Sequence, residues 1–100
     1  MIFAIQFEDD PVADPAIRAT HMADHLAFLD ANAETIRAAG PLIDANGPTG
    51  GLWLVEVEDV PSADALVRAD PFWPTGLRKS FVIREWRQVF AEGRRLIHLP

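Results

Sequence analysis

The chain contains no cysteine, which removes disulfide stapling, a thiol nucleophile and thiolate metal ligands in one step. No apolar run approaches the roughly 20 residues needed to span a bilayer. The opening stretch, MIFAIQFEDD, is too short and too acidic for a signal peptide. A soluble, cytoplasmic protein is expected. Positive charge is also scarce: 15 acidic against 9 basic side chains give a formal net charge of −6. Such a surface repels phosphate backbones and anionic headgroups, so neither nucleic acid nor a membrane is an expected partner. The basic residues bunch late, at Arg78, Lys79, Arg84, Arg87, Arg94 and Arg95. This bunching reads as solvated surface, with a local patch for a small anion as the alternative. There is no serine elbow, and NGPTGG at 46–51 lacks the glycine spacing and the lysine of a phosphate-cradling loop.

What is present is a 100-residue chain with 49% hydrophobic composition, enough for one globular core and no second one. A core this small leaves apolar surface that a second copy of the chain would cover. Residues 1–90 are expected to form the domain, with 91–100 as a C-terminal tail that either packs on the partner subunit of a homodimer or builds a higher oligomer.

MIFAIQFEDD alternates with the period of a strand. Asp14 as N-cap and Pro15 at the first helical position then predict a helix from Pro15 to about Ala31, with Ile17, Met22, Leu26, Phe28 and Leu29 as its apolar stripe. A strand from about Thr35 to Ile43, bent at Gly40-Pro41, suits a sheet edge. Residues 44–51 read as an exposed connection. LWLVEVED alternates as a third strand, and VPSADALVRAD forms a short helix ended by Asp70-Pro71. KSFVIREWRQVF, residues 79–90, is the fourth strand. The order strand–helix–strand, strand–helix–strand predicts an α+β, ferredoxin-like fold, with a four-stranded antiparallel sheet and two helices on one face. Leu52, Leu54, Ile2, Val82 and Trp86 are spread over positions that both faces of that sheet would need, and a partner sheet is the natural cover for the open one.

Two stretches invite chemistry. In HMADHLAFL, His21 and His25 are spaced i, i+4 and project from one side of a helix, close enough to share a metal ion or a bound anion. No glutamate follows the first histidine as a zinc-protease motif requires, so hydrogen-bonded histidines at the edge of the core are the alternative. In DPFWP, Asp70 precedes a rigid proline-aromatic cluster, with the plain reading that Asp70 is a turn residue and that Phe72 and Trp73 plug the core. Arg18 stands one turn before His21, placed either to hold a substrate carboxylate or phenolate or simply to face solvent. Trp73 and Trp86 are candidates for an aromatic wall.

HLAFL at 25–29, AAGPL at 38–42 and ADPF at 69–72, in that order and running on to VIREW at 82–86, resemble the YciI-like, or YCII-related, family. The resemblance implies a ferredoxin-like dimeric α+β barrel. It also implies a His-Asp pair as the active site, which on the matching positions is His25 with Asp70; His21 would line the same pocket. One type of member is similar to a dehydrochlorinase of chlorinated hydroxyquinols, which agrees with proton chemistry of the lyase kind without naming a substrate for this chain. A carboxylate holding one ring nitrogen of His25 would fix its tautomer and suit it to general acid or base work.

Three hypotheses follow from these readings. The first is a small cofactor-independent enzyme, lyase- or hydrolase-like, with His25 and Asp70 as catalytic pair and Arg18, His21, Phe72 and Trp73 around a small metabolite. The second is a non-catalytic dimeric ligand-binding or interaction module. The third is a metal-dependent enzyme built on His21 and His25; the first carries no metal ligands.

Overall fold

The computed structural model describes all 100 residues, Met1–Pro100. Strand β1 (Ile2–Asp9) leads into helix α1 (Ile17–Ala31), followed by β2 (Ile36–Asp44), β3 (Gly47–Glu56), α2 (Val60–Ala69) and β4 (Arg78–Glu85). A single 3-10 turn at Trp73–Thr75 follows α2, and two short strands, β5 (Phe90–Ala91) and β6 (Arg94–Arg95), close the chain. The main sheet runs in the order β2-β3-β1-β4, with every pairing antiparallel. This is the ferredoxin-like architecture expected from the order of elements, with β2 and its Gly40-Pro41 bend at the edge.

The alternation of β1 decides the layering. Phe3, Ile5 and Phe7 face the helices and are buried with Ile36, Trp53, Val55, Ala63 and Val67. The register places Ala4 against Leu54 and Arg84, and Gln6 against Leu52 and Val82, so these residues share the opposite face. Ile2, Leu52, Leu54, Val82 and Trp86 therefore all belong to one open face rather than to both. The two-sided spread expected from the sequence is corrected by pairing register, which single-strand alternation does not contain.

Local boundaries differ where side chains compete for the backbone. Helix α1 starts at Ile17, two residues late, because the Asp14 carboxylate accepts from the Ala16 N–H (2.9 Å) in a tight turn instead of capping a helix at Pro15. Its apolar stripe is only partly used: Phe28 and Leu29 pack on the core, but Leu26 is 51% exposed and the one buried residue of the helix is His25. Residues 47–51 are not a loop. Asp44 accepts from the Asn46 N–H (2.8 Å), Gly47 takes φ +106°, and a two-residue hairpin loop lets β3 begin at Gly47. At Gly50 a Cβ would overlap the Phe7 carbonyl oxygen, so this close approach of β1 and β3 requires glycine. Helix α2 begins as its sequence suggests, with Asp59 accepting from the Ser62 N–H (2.8 Å).

Strand β4 ends at Glu85 rather than reaching residue 90. The last residues are not a plain tail, since Glu92 and Gly93 both take positive φ (53° and 77°) and turn Phe90–Ala91 back on Arg94–Arg95 as a small hairpin. No helix is long and apolar enough to cross a membrane.

Candidate functional site

A cavity of about 140 Å³ opens between α1 and the β2–β3 side of the sheet. Helix α1 contributes Arg18, Met22, His25, Leu26 and Leu29 to its wall, facing Pro41, Gly51 and Trp53 from the strands. Phe72 and Arg78, which flank the 3-10 turn, and Asp9 at the end of β1 complete it. Its wall is mainly apolar and aromatic with a few converging polar groups, the usual composition of a small-molecule site. A larger hollow of about 600 Å³ lies on the open face of the sheet among Gln6, Glu8, Ser80, Val82 and Arg84, away from both histidines of α1.

The proline that ends α2 places Asp70. Its backbone is extended at φ −66°, ψ 132°, and its side chain turns inward with no exposed area. There Oδ1 meets His25 Nδ1 at 2.9 Å and accepts from the Phe72 N–H at 3.1 Å, while Oδ2 accepts from Arg78 NH1 at 2.7 Å. Burial pushes the Asp70 carboxyl up, but the His25 and Phe72 hydrogen bonds and the Arg78 charge outweigh it and hold the group below its ordinary value of 3.8. Asp70 is thus a buried, ionised carboxylate.

An ionised acceptor against Nδ1 makes Nδ1 the protonated nitrogen of neutral His25 and leaves Nε2 with a lone pair. Nε2 makes no hydrogen bond within the protein, yet no buried side-chain nitrogen is sealed away without a partner, so Nε2 is open to the cavity that His25 lines. The ring is held by aromatic contacts as well, 4.4 Å from Phe72 and 6.4 Å from Trp53 between centroids. The Asp70 contact and these rings together fix the direction of Nε2.

Of the residues singled out from the sequence, His25, Asp70, Phe72 and Arg18 are brought together. Arg18 lines the cavity but is already engaged, through NH1 to Asp9 (2.6 Å) and NH2 to the Gly50 carbonyl (3.4 Å). His21 and Trp73 are not in the cavity wall. His21 stands one turn from His25, and no third ligating side chain joins the two histidines. Trp73 packs edge-on against Phe81 (5.2 Å) under the guanidinium of Arg68 (5.1 Å), and Trp86 stands 43% exposed on the open face. No three His, Cys, Asp or Glu side chains cluster.

Two residues of the site were missed. Trp53, read only as part of an alternating strand, walls the cavity on the sheet side. Arg78 belongs to the late basic bunch read as solvated surface, yet its side chain is only 7% exposed. It lies over the Phe7 ring at 4.0 Å, with Trp53 at 5.3 Å and Phe72 at 5.5 Å. The signal available was its place at the start of an alternating strand, just after the glycine-ended turn that follows Asp70.

Comparison with known proteins bears on the same residues. The solved structure of a 5-chloro-2-hydroxyhydroquinone dehydrochlorinase from Burkholderia phenoliruptrix AC1100, in complex with 2,5-dihydroxybenzoquinone, superposes with a TM-score of 0.75 and 27% identity. The match covers 87% of this chain and 94% of that one. An antibiotic biosynthesis monooxygenase superposes with a TM-score of 0.50 and 15% identity over 88% of this chain and 100% of its own, a likeness of fold alone. No curated protein sequence matches the chain. The YCII-related domain matches residues 1–87, which span the whole βαββαβ unit with the His25–Asp70 contact inside it, and the chain belongs to that family.

Proposed function

We propose that the protein is a small-molecule enzyme of lyase or hydrolase type that moves a proton with His25 and needs no cofactor for that step. His25 Nε2 takes the proton from the substrate and returns it, to the substrate or to a leaving group, and Asp70 orients the ring. The observation that carries this reading is the pairing of Nδ1 with a buried carboxylate while Nε2 is left free toward an aromatic-walled cavity. Phe72 and Trp53 suit a flat substrate, and the likeness to a dehydrochlorinase with a bound dihydroxybenzoquinone favours a small oxygenated ring.

A direct test adds 5-chloro-2-hydroxyhydroquinone and follows chloride release, with 2,5-dihydroxybenzoquinone as a ligand in thermal-shift measurements. Wild type should release chloride or be stabilised by the quinone, and His25→Ala and Asp70→Asn should lose this while keeping native circular dichroism. A second reading, a ligand-free interaction module, is favoured by one feature: the Asp70 network ties α1, the turn at Phe72 and β4 together. It gains the field if neither compound affects the wild type and both substitutions merely lower its melting temperature.

The working unit in this proposal is a homodimer. Val82 and Trp86 stand 45% and 43% exposed on the open face beside Leu52 and Leu54, and the open face of a second copy would cover them.

A further inference from the structure

Two cations line the cavity, and they differ in what they have left to give. Arg18 has both terminal amino groups engaged, on Asp9 and the Gly50 carbonyl, which leaves Nε as its one nitrogen without an acceptor. Arg78 spends one, NH1, on Asp70. A guanidinium carries five N–H donors fixed in a plane, so Nε and NH2 of Arg78 remain without a protein acceptor. They are not sealed in, because no buried side-chain nitrogen lacks a partner, and Arg78 forms part of the cavity wall although its side chain is 7% exposed. The guanidinium carbon lies over the Phe7 ring at 4.0 Å and NH1 is tied to Asp70, so the group is held in place from two sides.

We infer that the free donors of Arg78 form the oxyanion site of the cavity, and that the substrate carries a carbonyl or phenol oxygen conjugated to the atom that loses its proton to His25. This rests on the acid/base reading of the site and names its substrate class. In the step, a substrate C–H bond breaks, the proton passes to His25 Nε2, the bonding pair forms a C=C bond, and the carbonyl π pair moves onto oxygen. The new enolate oxygen accepts from Arg78. Collapse of the enolate then expels an anionic leaving group from the adjacent carbon, or the carbon takes the proton back from His25.

Charge balance in the cavity favours this order. Arg18 and Arg78 are offset by Asp9 and Asp70, so the resting site with neutral His25 has no net charge and suits a neutral substrate. Negative charge appears on the oxygen only as positive charge appears on His25, and a fixed donor at that oxygen favours the charged state over the substrate. Arg78 would touch the reacting system directly while also steadying Asp70.

The test compares 4-nitrophenolate, a planar oxyanion, with the neutral nitrobenzene, observing the arginine Nε–H and histidine ring signals by NMR at a pH where the phenol is ionised. Arg78→Lys keeps a cation beside Asp70 but cannot span Asp70 and a ligand together. The expected result is that 4-nitrophenolate moves the Arg78 Nε–H and His25 signals and binds at least about tenfold tighter than nitrobenzene, and that Arg78→Lys removes most of this preference. The wild-type shift of the Arg78 signal needs no variant, so a poorly folded Arg78→Lys does not spoil the test. Equal binding of both probes, or a preference abolished by Arg18→Lys and kept by Arg78→Lys, overturns the assignment while the shifted His25 ring upholds the site. If neither probe moves His25, the acid/base reading itself falls.

Discussion

At the scale of single residues, the decisive feature is a fully buried carboxylate with three hydrogen-bond donors. Removing one partner of such a group leaves an uncompensated charge, so Arg78→Met should cost about 3–5 kcal/mol in urea unfolding. Arg78→Met combined with Asp70→Asn should cost less than that single change, because no ion is left unpaired. A double-mutant cycle checks this, and simple additivity would mean that the two do not interact. The acid side follows from the same group. The folded-state pKa of Asp70 lies below its ordinary 3.8, so its contribution is present above the unfolded-state value and is lost as pH falls through the folded one. The stability gap between wild type and Asp70→Asn, measured by urea titration, should be constant above about pH 5 and close as pH drops below about 4. The tautomer of His25 belongs to this scale too. Nitrogen-15 spectra should show Nδ1 as the protonated nitrogen in wild type and a mixed state in Asp70→Asn, whose amide can donate as well as accept.

At the scale of elements, two local devices position the site. Helix α2 is started by Asp59, whose carboxylate accepts from the Ser62 N–H, and ended by the proline after Asp70. Asp59→Ala should therefore lower stability by about 1 kcal/mol without altering the His25 signals, as the cap lies a full helix length from the cavity. Gly50 behaves differently because β1 and β3 meet too closely there to admit a side chain. Gly50→Ala should destabilise by about 1–3 kcal/mol and, since the Gly50 carbonyl also receives Arg18, perturb ligand affinity. Calorimetric melting separates the two variants: loss of stability with an unchanged cavity in the first, loss of both in the second. Much of this level was legible in advance. The four alternating strands and the proline stop of α2 were legible, though not the start of β3 or the end of β4, because period and backbone restriction are local properties. The start of α1 and the hairpin at 44–47 were not, because Asp14 and Asp44 use their side chains to close turns that compete with the expected cap and loop.

At the scale of the whole molecule, the sheet has one face under helices and one face bare. Ile2, Leu52, Leu54, Val82 and Trp86 share the bare face by register, and this concentration is what makes self-association the expected state. Sedimentation velocity should show a dimer in wild type and a monomer in Val82→Asp, which sets a charge in the middle of the face at no cost to the core behind it. A monomeric wild type would remove the dimer from the proposal and leave the acid/base pair intact, since the contacts of Asp70 with His25, Phe72 and Arg78 are made within one chain.

The amino-acid sequence by itself determined the order of elements, the fold class and the His25–Asp70 pair, through strand and helix periods, proline stops and a family resemblance in three short motifs. The tertiary structure decided the rest. Two arginines drawn from the same scarce pool of positive charge are indistinguishable as letters, yet Arg18 is tied to the chain around it and Arg78 is buried with donors to spare. Two nearby histidines likewise part company, because only one faces Asp70. Burial and hydrogen-bond partnership depend on residues far apart in the chain, and those long-range contacts convert a set of candidate side chains into a site with a direction.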